Sequence, residues 1–255
     1  MANRPGGQLF ADDERGISEV LGYIIIFSIV ITSVVVVVVG GIATVEDARD
    51  SERVENADRA FDVAADNFAD IYERNAPSRA TEIELGDASI FYDNNVSMTV
   101  SGTAAGQGTV FETTHEFRPV TMRVTDDRNL VYEGGAVFRG EEGNEIMSRD
   151  PPFLLDDRVH IPVVKTVAPT IESAGRTTVL LRGVADEREL LADDVVDRVT
   201  IEISSPRYEA WARGLESESV DCDTDGATRT VTCELSGSDI QTYVTKHQIE
   251  LSLIL

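Results

Sequence analysis

The most continuous apolar pattern in the chain runs from Val20 to Val39, twenty residues without a charge, a proline or an amide side chain. As an α-helix with a rise of about 1.5 Å per residue it would be about 30 Å long, which matches the hydrocarbon thickness of a bilayer. Ile and Val are modest helix formers in water, but in lipid a single segment satisfies its backbone hydrogen bonds only as a helix. The pattern therefore predicts a transmembrane or filament-core helix over residues 17–42. The alternatives are a buried element of a soluble domain and a cleaved secretory signal, whose apolar region is usually roughly 7 to 15 residues long.

A helical pattern continues beyond the apolar run into the polar segment 43–76. Its apolar positions recur at spacings of three and four residues, which places them on one face of a helix: Val54, Ala57, Phe61, Ala64, Phe68 and Ile71. If Gly40 and Gly41 do not interrupt it, one helix over residues 17–74 would be about 87 Å long. It should end before Pro77, because proline disfavours the α conformation of the preceding residue. The pattern predicts an amphipathic stalk, although a coiled coil and a helix packed on a sheet share it.

After this helix the pattern changes to short alternating runs rich in Val, Ile, Thr, Phe and Tyr, separated by Gly, Asp and Asn. Such alternation is typical of strands in an antiparallel sheet or sandwich. The predicted strands are 81–85, 88–92, 96–100, 109–114, 120–125, 130–133, 159–164, 177–184, 199–204, 228–235 and 246–255. We expect a long loop over residues 140–157 and a short helix over residues 206–215. The expected fold class is therefore α+β, a long N-terminal hydrophobic helix followed by an antiparallel β-sandwich-like head over residues 77–255.

Charge excludes some functional classes. The formal net charge is -24, from 22 Lys and Arg against 46 Asp and Glu, and only Lys165 and Lys246 are lysines. Nucleic-acid binding needs a basic surface, so this composition excludes it, and docking to anionic lipid by charge is disfavoured. An acidic, lysine-poor surface resembles that of proteins from extreme halophiles, in which concentrated salt screens the repulsion between carboxylates. We therefore expect the acidic side chains at the solvated surface.

A short motif stands at the head of the apolar run. The sequence Arg15-Gly16-Ile17-Ser18 resembles the class III signal of archaeal type IV pilins, which the prepilin peptidase cleaves after the glycine on the cytoplasmic side. The resemblance implies that residues 1–16 are a leader and that the mature chain begins at Ile17. It also implies a single-pass topology with a cytoplasmic N-terminus and an extracellular C-terminal domain.

Glu19 would be the third residue of that mature chain. Bacterial pilins typically carry a glutamate at the fifth position, where it is thought to neutralise the N-terminal amine of a neighbouring subunit. The resemblance therefore implies an assembly role for Glu19, shifted by two residues. The alternative is a charge at the membrane edge, where a carboxylate reaches the headgroups at low cost.

Two further stretches extend the resemblance into the head. Residues 132–137, YEGGAV, and residues 205–212, SPRYEAWA, together with residues 15–40, look like a family of uncharacterised haloarchaeal pilin-like membrane proteins. The resemblance covers much of the chain and implies little about activity. Its implied partners are the membrane, the prepilin peptidase, and the chain itself or other pilins through the N-terminal helix.

Cys222 and Cys233 are the two cysteines of the sequence, and they flank a predicted hairpin. Outside the cell such a pair would form a disulfide worth up to about 3 kcal/mol in the chain-entropy model. A two-residue Asp-Gly turn would set the cysteines out of register, so a disulfide needs a longer loop centred near Ala227 and Thr228. Free thiols are the alternative.

The same segment carries the alternating aspartates Asp221, Asp223 and Asp225, followed by Gly226. This pattern matches the opening of an EF-hand calcium loop, in which the carboxylates point inward and the glycine permits the turn. The twelfth position is Thr232 instead of glutamate, and no helices are predicted on either side. We therefore expect no cofactor beyond weakly bound Ca²⁺, with an ordinary acidic surface as the alternative.

Catalytic motifs do not occur in the sequence. It has no nucleophile elbow, phosphate-binding loop or dinucleotide fingerprint, and His115, His160 and His247 lack the paired spacing of a zinc site. Asn95 begins the one N-glycosylation sequon, Asn-Val-Ser.

Taken together, these features predict a pilin-like structural or adhesion protein of the cell surface, without enzymatic activity, that is anchored or assembled through its N-terminal helix. The alternative is a singly anchored membrane protein whose extracellular β-domain binds the cell wall or a surface complex.

Overall fold

A computed structural model describes residues 13–156, 158–169, 172–174, 177–217 and 220–255, with side chains for all of these except 13–19, 39–50 and 172–174. The chain divides into two compact units, Met1–Glu52 and Arg53–Leu255. The fold class is the expected α+β, an N-terminal apolar helix and a mostly β-sheet domain.

The first unit is helical wherever it is described. Helix α1 spans Asp13–Glu73, so the glycines at positions 40 and 41 do not interrupt it, as the sequence permitted. Val20–Val38 has a mean hydropathy of 2.8 and no buried residue. This segment is long and apolar enough to cross a membrane, as the apolar run predicted.

The second unit begins inside α1. From Arg53 onward this helix buries the predicted apolar face in the core of the unit, with Phe61 and Phe68 each only 2 % exposed. Gly183 on the opposing sheet permits close packing, because a Cβ atom there would lie 2.9 Å from the Phe68 ring. The compact unit therefore starts within the predicted stalk, and the helix end belongs to the head.

The strands occur in the following order: β1 Ser78–Glu84, β2 Ser89–Tyr92, β3 Val96–Ala104, β4 Gly108–Phe117, β5 Val120–Thr125, β6 Arg128–Glu133, β7 Ala136–Gly140, β8 Ile146–Arg149, β9 Leu154–Leu155, β10 Arg158–Val167, β11 Glu172–Ala174, β12 Thr178–Ser204, β13 Asp221–Asp225 and β14 Thr230–Ile254. Helix α2, Tyr208–Glu216, lies between β12 and β13.

Two sheets form the head within the described residues. The eight-stranded sheet has the order β4-β3-β12-β14-β10-β9, with β1 paired to β12 and β13 paired to β14. The six-stranded sheet has the order β11-β2-β5-β6-β7-β8. Most neighbours are antiparallel, but β10 and β14 are parallel.

The six-stranded sheet is covered on both faces. Leu130 and Tyr132 of β6 belong to the core cluster that contains α1, whereas Val131 belongs to the cluster that contains α2. Aromatic contacts support both layers, with 5.0 Å between the ring centroids of Phe68 and Tyr132. This is the alternation that a strand buried on both faces produces.

Several predictions of local structure were wrong. The expected loop over residues 140–157 contains β8 and β9, and the strands β7, β11 and β13 were not predicted. The two segments on either side of residues 185–198 are one strand, β12, and the two on either side of residues 236–245 are one strand, β14.

Pairing of β12 with β14 shifts register at three places, beginning between Ala185 and Glu187. Across these shifts the buried positions change from odd-numbered ones such as Leu181 to even-numbered ones such as Val196, and back to odd-numbered ones from Val199. The period of two on which the prediction depended is therefore lost in this strand.

Candidate functional site

The exposed surface of the apolar helix is the first candidate site. Its large side chains between Val20 and Val38 are 47–71 % exposed. The hydroxyl groups of Ser28 and Thr32 donate to the carbonyls of Ile24 and Ser28, each at 2.7 Å. Because the helix satisfies these polar groups itself, its surface suits hydrocarbon or the apolar surface of other helices.

The predicted leader-cleavage residues Arg15, Gly16, Ile17 and Ser18, and the predicted assembly residue Glu19, lie at the start of this helix. Only their backbone is described, and residues 1–12 lie outside the described residues. Leader cleavage and the role of Glu19 therefore stay predictions.

A row of aspartates along α1 connects this helix to the head. Their spacing of four residues places them on one side of the buried face, where each meets an arginine of the sheets. The pairs are Asp58 with Arg128, Asp62 with Arg139, Asp66 with Arg149 and Asp70 with Arg79. The first three arginines lie on β6, β7 and β8, which are neighbours in the six-stranded sheet. We call these four pairs the aspartate row.

Burial and charge differ along the aspartate row. Asp58 is the most enclosed of the three that meet β6, β7 and β8, with 20 % of its side chain exposed, whereas Asp66 is 70 % exposed. At the C-terminal end of the row, the hydrogen bond from Arg79 lowers the pKa of Asp70 below its usual value, and Arg74 adds to this effect. These carboxylates are paired, and not simply solvated as their composition suggested.

A buried polar cluster joins β6 to α2. Glu133 is 0 % exposed and accepts hydrogen bonds from Arg207 Nε at 2.6 Å and Trp211 Nε1 at 2.7 Å. Arg207 also donates to Asp93 at 3.3 Å. Burial alone would lower the pKa of Arg207, but the charges of Glu133 and Asp93 raise it above its usual value. The arginine therefore stays charged inside the fold.

A cleft of about 520 Å³ opens at the start of α2. Its lining includes the arginines Arg207, Arg213 and Arg229 together with Glu142 and Glu145. Mixed positive and negative groups of this kind can bind a polar ligand by hydrogen bonds.

The cysteines lie in a hairpin of β13 and β14. Cys222 and Cys233 are direct cross-strand partners joined by a disulfide, with 4.1 Å between their Cα atoms. Asp225 pairs with Thr230, which leaves a four-residue loop whose centre falls between Ala227 and Thr228. The loop is longer than two residues and is centred where a disulfide required it.

The predicted calcium loop does not form. Asp221, Asp223 and Asp225 lie on an extended strand, where alternate residues are roughly 6.6 Å apart along the chain, so their carboxylates do not converge as in a curled EF-hand loop. Asp225 instead accepts hydrogen bonds from the backbone of Ala227 at 2.8 Å and the hydroxyl of Thr228 at 2.9 Å. Within the described part of the chain, no three His, Cys, Asp or Glu side chains are placed to hold a metal.

The three histidines lie on strands β4, β10 and β14 of the eight-stranded sheet. His160 and His247 lie on either side of the Thr245 hydroxyl, at 3.1 and 3.2 Å from their Nε2 atoms. His115 contacts the Thr113 hydroxyl at 2.7 Å. Burial lowers the pKa of all three imidazoles, to about 4 for His247, so they are neutral at pH 7.

Sequence reasoning missed both the aspartate row and the buried glutamate. The aspartate row could have been predicted from spacing. Its members recur every four residues beside the apolar face: Asp58, Asp62, Asp66 and Asp70. Glu133 had no such signal, because nothing local distinguishes a buried carboxylate from the many exposed ones in this chain.

Comparison with known proteins yields a family without an assigned role. The sequence matches a family of unknown function, DUF7289, over residues 15–252. Neither a curated protein nor a solved structure matches it.

Proposed function

This chain belongs to the DUF7289 family of unknown function, and we propose that it is a pilin-like structural or adhesion protein of the cell surface. It is anchored, or assembled with other copies, through its N-terminal helix. The observation that carries the proposal is the fully exposed apolar surface of Val20–Val38. No described residue of the first unit covers this surface, so lipid or other helices would have to exclude water from it.

Two further features support the proposal. Helix α1 continues from the apolar span to Glu73, and its C-terminal part is a core element of the head. The motif at Gly16 and Ile17 stands at the position that a class III signal would occupy. In this proposal the leader is cytoplasmic and the head extracellular.

Leader cleavage is tested by N-terminal sequencing of the protein extracted from archaeal membranes. We expect the mature chain to begin at Ile17. The variant Gly16→Val should block cleavage, while the control Gly7→Val changes a glycine of the same leader away from the cut and should leave it intact. A wild-type chain that still begins at Met1 or Ala2 would contradict the pilin route.

The second candidate function is a singly anchored binding module. The observation that favours it is the polar cleft at the start of α2, lined by Arg207, Arg213 and Arg229. Mechanical shearing of intact cells distinguishes the two candidates, because filaments are released into the medium whereas a membrane anchor stays with the cells.

A further inference from the structure

We propose that Asn95 carries an N-linked glycan, which is attached before the head completes its folding. The inference rests on the proposed extracellular location of the head. Its starting point is the sequence, in which Asn95 has a serine two positions later, whereas every other asparagine of the chain lacks Ser or Thr at that position.

The structure places Asn95 where a bulky group fits. It is exposed, and it lies in the connection between Tyr92, the last residue of β2, and Val96, the first of β3. By contrast, Asn129 of β6 is buried at 5 % exposure. A glycan at Asn95 would therefore extend into solvent without displacing the core.

Among the described residues, the side-chain amide of Asn95 makes two long hydrogen bonds. Its Nδ2 donates to Glu116 at 3.3 Å, and its Oδ1 accepts from Arg118 at 3.4 Å, both beyond the usual 2.7–3.2 Å range. An N-linked glycan replaces one of the two hydrogens on Nδ2 and leaves Oδ1 unchanged. Both contacts can persist after modification, so the glycan is compatible with the folded head.

The other two residues of the sequon, Val96 and Ser97, lie in β3, which is paired with a strand on each side. Val96 is buried at 3 % exposure, and Ser97 pairs with Glu116 of β4 on one side and Ser204 of β12 on the other. A transferase that must recognise the serine of the sequon cannot reach an extended Asn95–Ser97 segment while β3 is paired on both edges. Transfer therefore precedes the pairing of β3.

The reaction is a group transfer from a lipid-phosphate-linked glycan. The Asn95 Nδ2 atom bonds to C1 of the first sugar and loses one proton to solvent or a base. The bond between C1 and the donor phosphate oxygen breaks, and the electron pair leaves with the phosphate of the lipid. No oxidation or reduction occurs.

Mass spectrometry of the full-length protein from a halophilic archaeal host tests the site. We expect tryptic peptide 80–123 to carry a mass excess made of sugar units. Asn95→Gln and Ser97→Ala should each remove it. The neighbouring Asn94→Gln, which has no sequon, and Ser97→Thr, which preserves one, should keep it. An unmodified wild-type peptide, or sugar retained in Asn95→Gln, would overturn the proposal.

A second experiment tests whether the glycan is transferred before the head folds. Full-length protein is made in a bacterial host, refolded in molar salt with its disulfide formed, and incubated with membranes of the archaeal host, beside a synthetic peptide 80–123. We expect the unfolded peptide to be glycosylated and the folded chain to stay unmodified; equal modification of both would contradict attachment before folding.

N-terminal sequencing of the same sample separates this inference from the proposed function. An N-terminus at Ile17 with an unmodified peptide would reject only the glycan at Asn95. A modified peptide on a chain that begins at Met1 would reject only leader cleavage.

Discussion

Asp58 on α1 accepts a hydrogen bond from Arg128 on β6, with 2.8 Å between Oδ2 and Nη2, although 70 positions separate the two residues in the chain. The second oxygen of Asp58 is buried and has no hydrogen-bond partner within the described residues. Arg139 of β7 also approaches this carboxylate, at 3.9 Å. One helix position thus connects to two neighbouring strands, which ties the end of α1 to the head.

The aspartate row predicts unequal effects of carboxylate removal along α1. Asp58→Asn should lower the free energy of unfolding of the head by about 1–3 kcal/mol, because it leaves the partly buried Arg128 without its ion-pair partner. Glu55→Gln makes the same chemical change on the same helix, but its pair with Arg59 is solvent-exposed, so we expect a change below about 0.5 kcal/mol. Denaturant unfolding measures both, and equal effects would show that the row does not hold the helix.

The buried cluster predicts a larger effect. Glu133→Gln keeps the shape of the side chain but takes from the buried Arg207 its closest ion-pair partner and leaves Asp93 at 3.3 Å, which should cost about 3–5 kcal/mol. Glu209→Gln on α2 is the exposed control, expected to change stability by less than about 1 kcal/mol. A Glu133→Gln variant as stable as the control would mean that Arg207 does not need this partner.

The disulfide predicts that native protein has no reactive thiol. Intact mass after alkylation without reductant should be unchanged, whereas reduction in denaturant should allow two alkyl groups to add. The double variant Cys222→Ala/Cys233→Ala should lose up to about 3 kcal/mol of stability. Alanine is the suitable replacement because Cys233 is 1 % exposed and serine would bury a hydroxyl. Two alkyl groups on the unreduced protein would rule out the bridge.

Mild acid should destabilise the head through His247. Burial lowers the pKa of His247 from 6.5 to about 4, with Arg188 and His160 contributing. Between these values the unfolded chain binds a proton that the folded head does not, so the free energy of unfolding should fall from pH 7 to pH 5, by about 1 kcal/mol once solvent screening of this partly exposed imidazole is taken into account.

Denaturant unfolding at pH 7 and pH 5 in concentrated salt checks this dependence on His247. His247→Gln should remove the largest part of the fall, while His115→Gln, at a separate site, should leave most of it. An unchanged pH dependence in His247→Gln would refute the assignment.

Salt dependence follows from the charge of the head. Residues 53–255 contain 38 acidic and 19 basic residues, and screening shortens the reach of their repulsion to roughly 3 Å at 1 M salt. We expect the melting temperature to rise strongly from low to molar potassium chloride. A fragment of the head used for this measurement must begin at or before Arg53, because a fragment that begins at residue 77 would lack the core residues Phe61 and Phe68. Equal melting temperatures in both buffers would contradict the expectation that concentrated salt stabilises this acidic head.

Local patterns decided several features before any tertiary structure was known. Twenty residues in succession without a charge, a proline or an amide side chain predict the N-terminal helix, because in lipid a single segment satisfies its backbone hydrogen bonds only as a helix. The stripe that includes Phe61 and Phe68 gives the buried face of the same helix, because spacings of three and four residues place side chains on one side. A disulfide required a loop longer than two residues centred near Ala227 and Thr228, and the register of Cys222 and Cys233 has such a loop.

Other features depend on contacts that sequence spacing does not encode. The aspartates at 221, 223 and 225 suit a calcium loop or a strand equally well by spacing, and pairing with β14 selects the strand. Likewise, Glu133 differs from exposed glutamates only because Arg207 and Trp211, more than 70 positions away, reach it inside the fold. Hydrophobic periodicity is a local property that the sequence determines by itself, whereas the state of a charged side chain depends on which distant groups the fold brings within hydrogen-bond distance, and only the tertiary structure decided that.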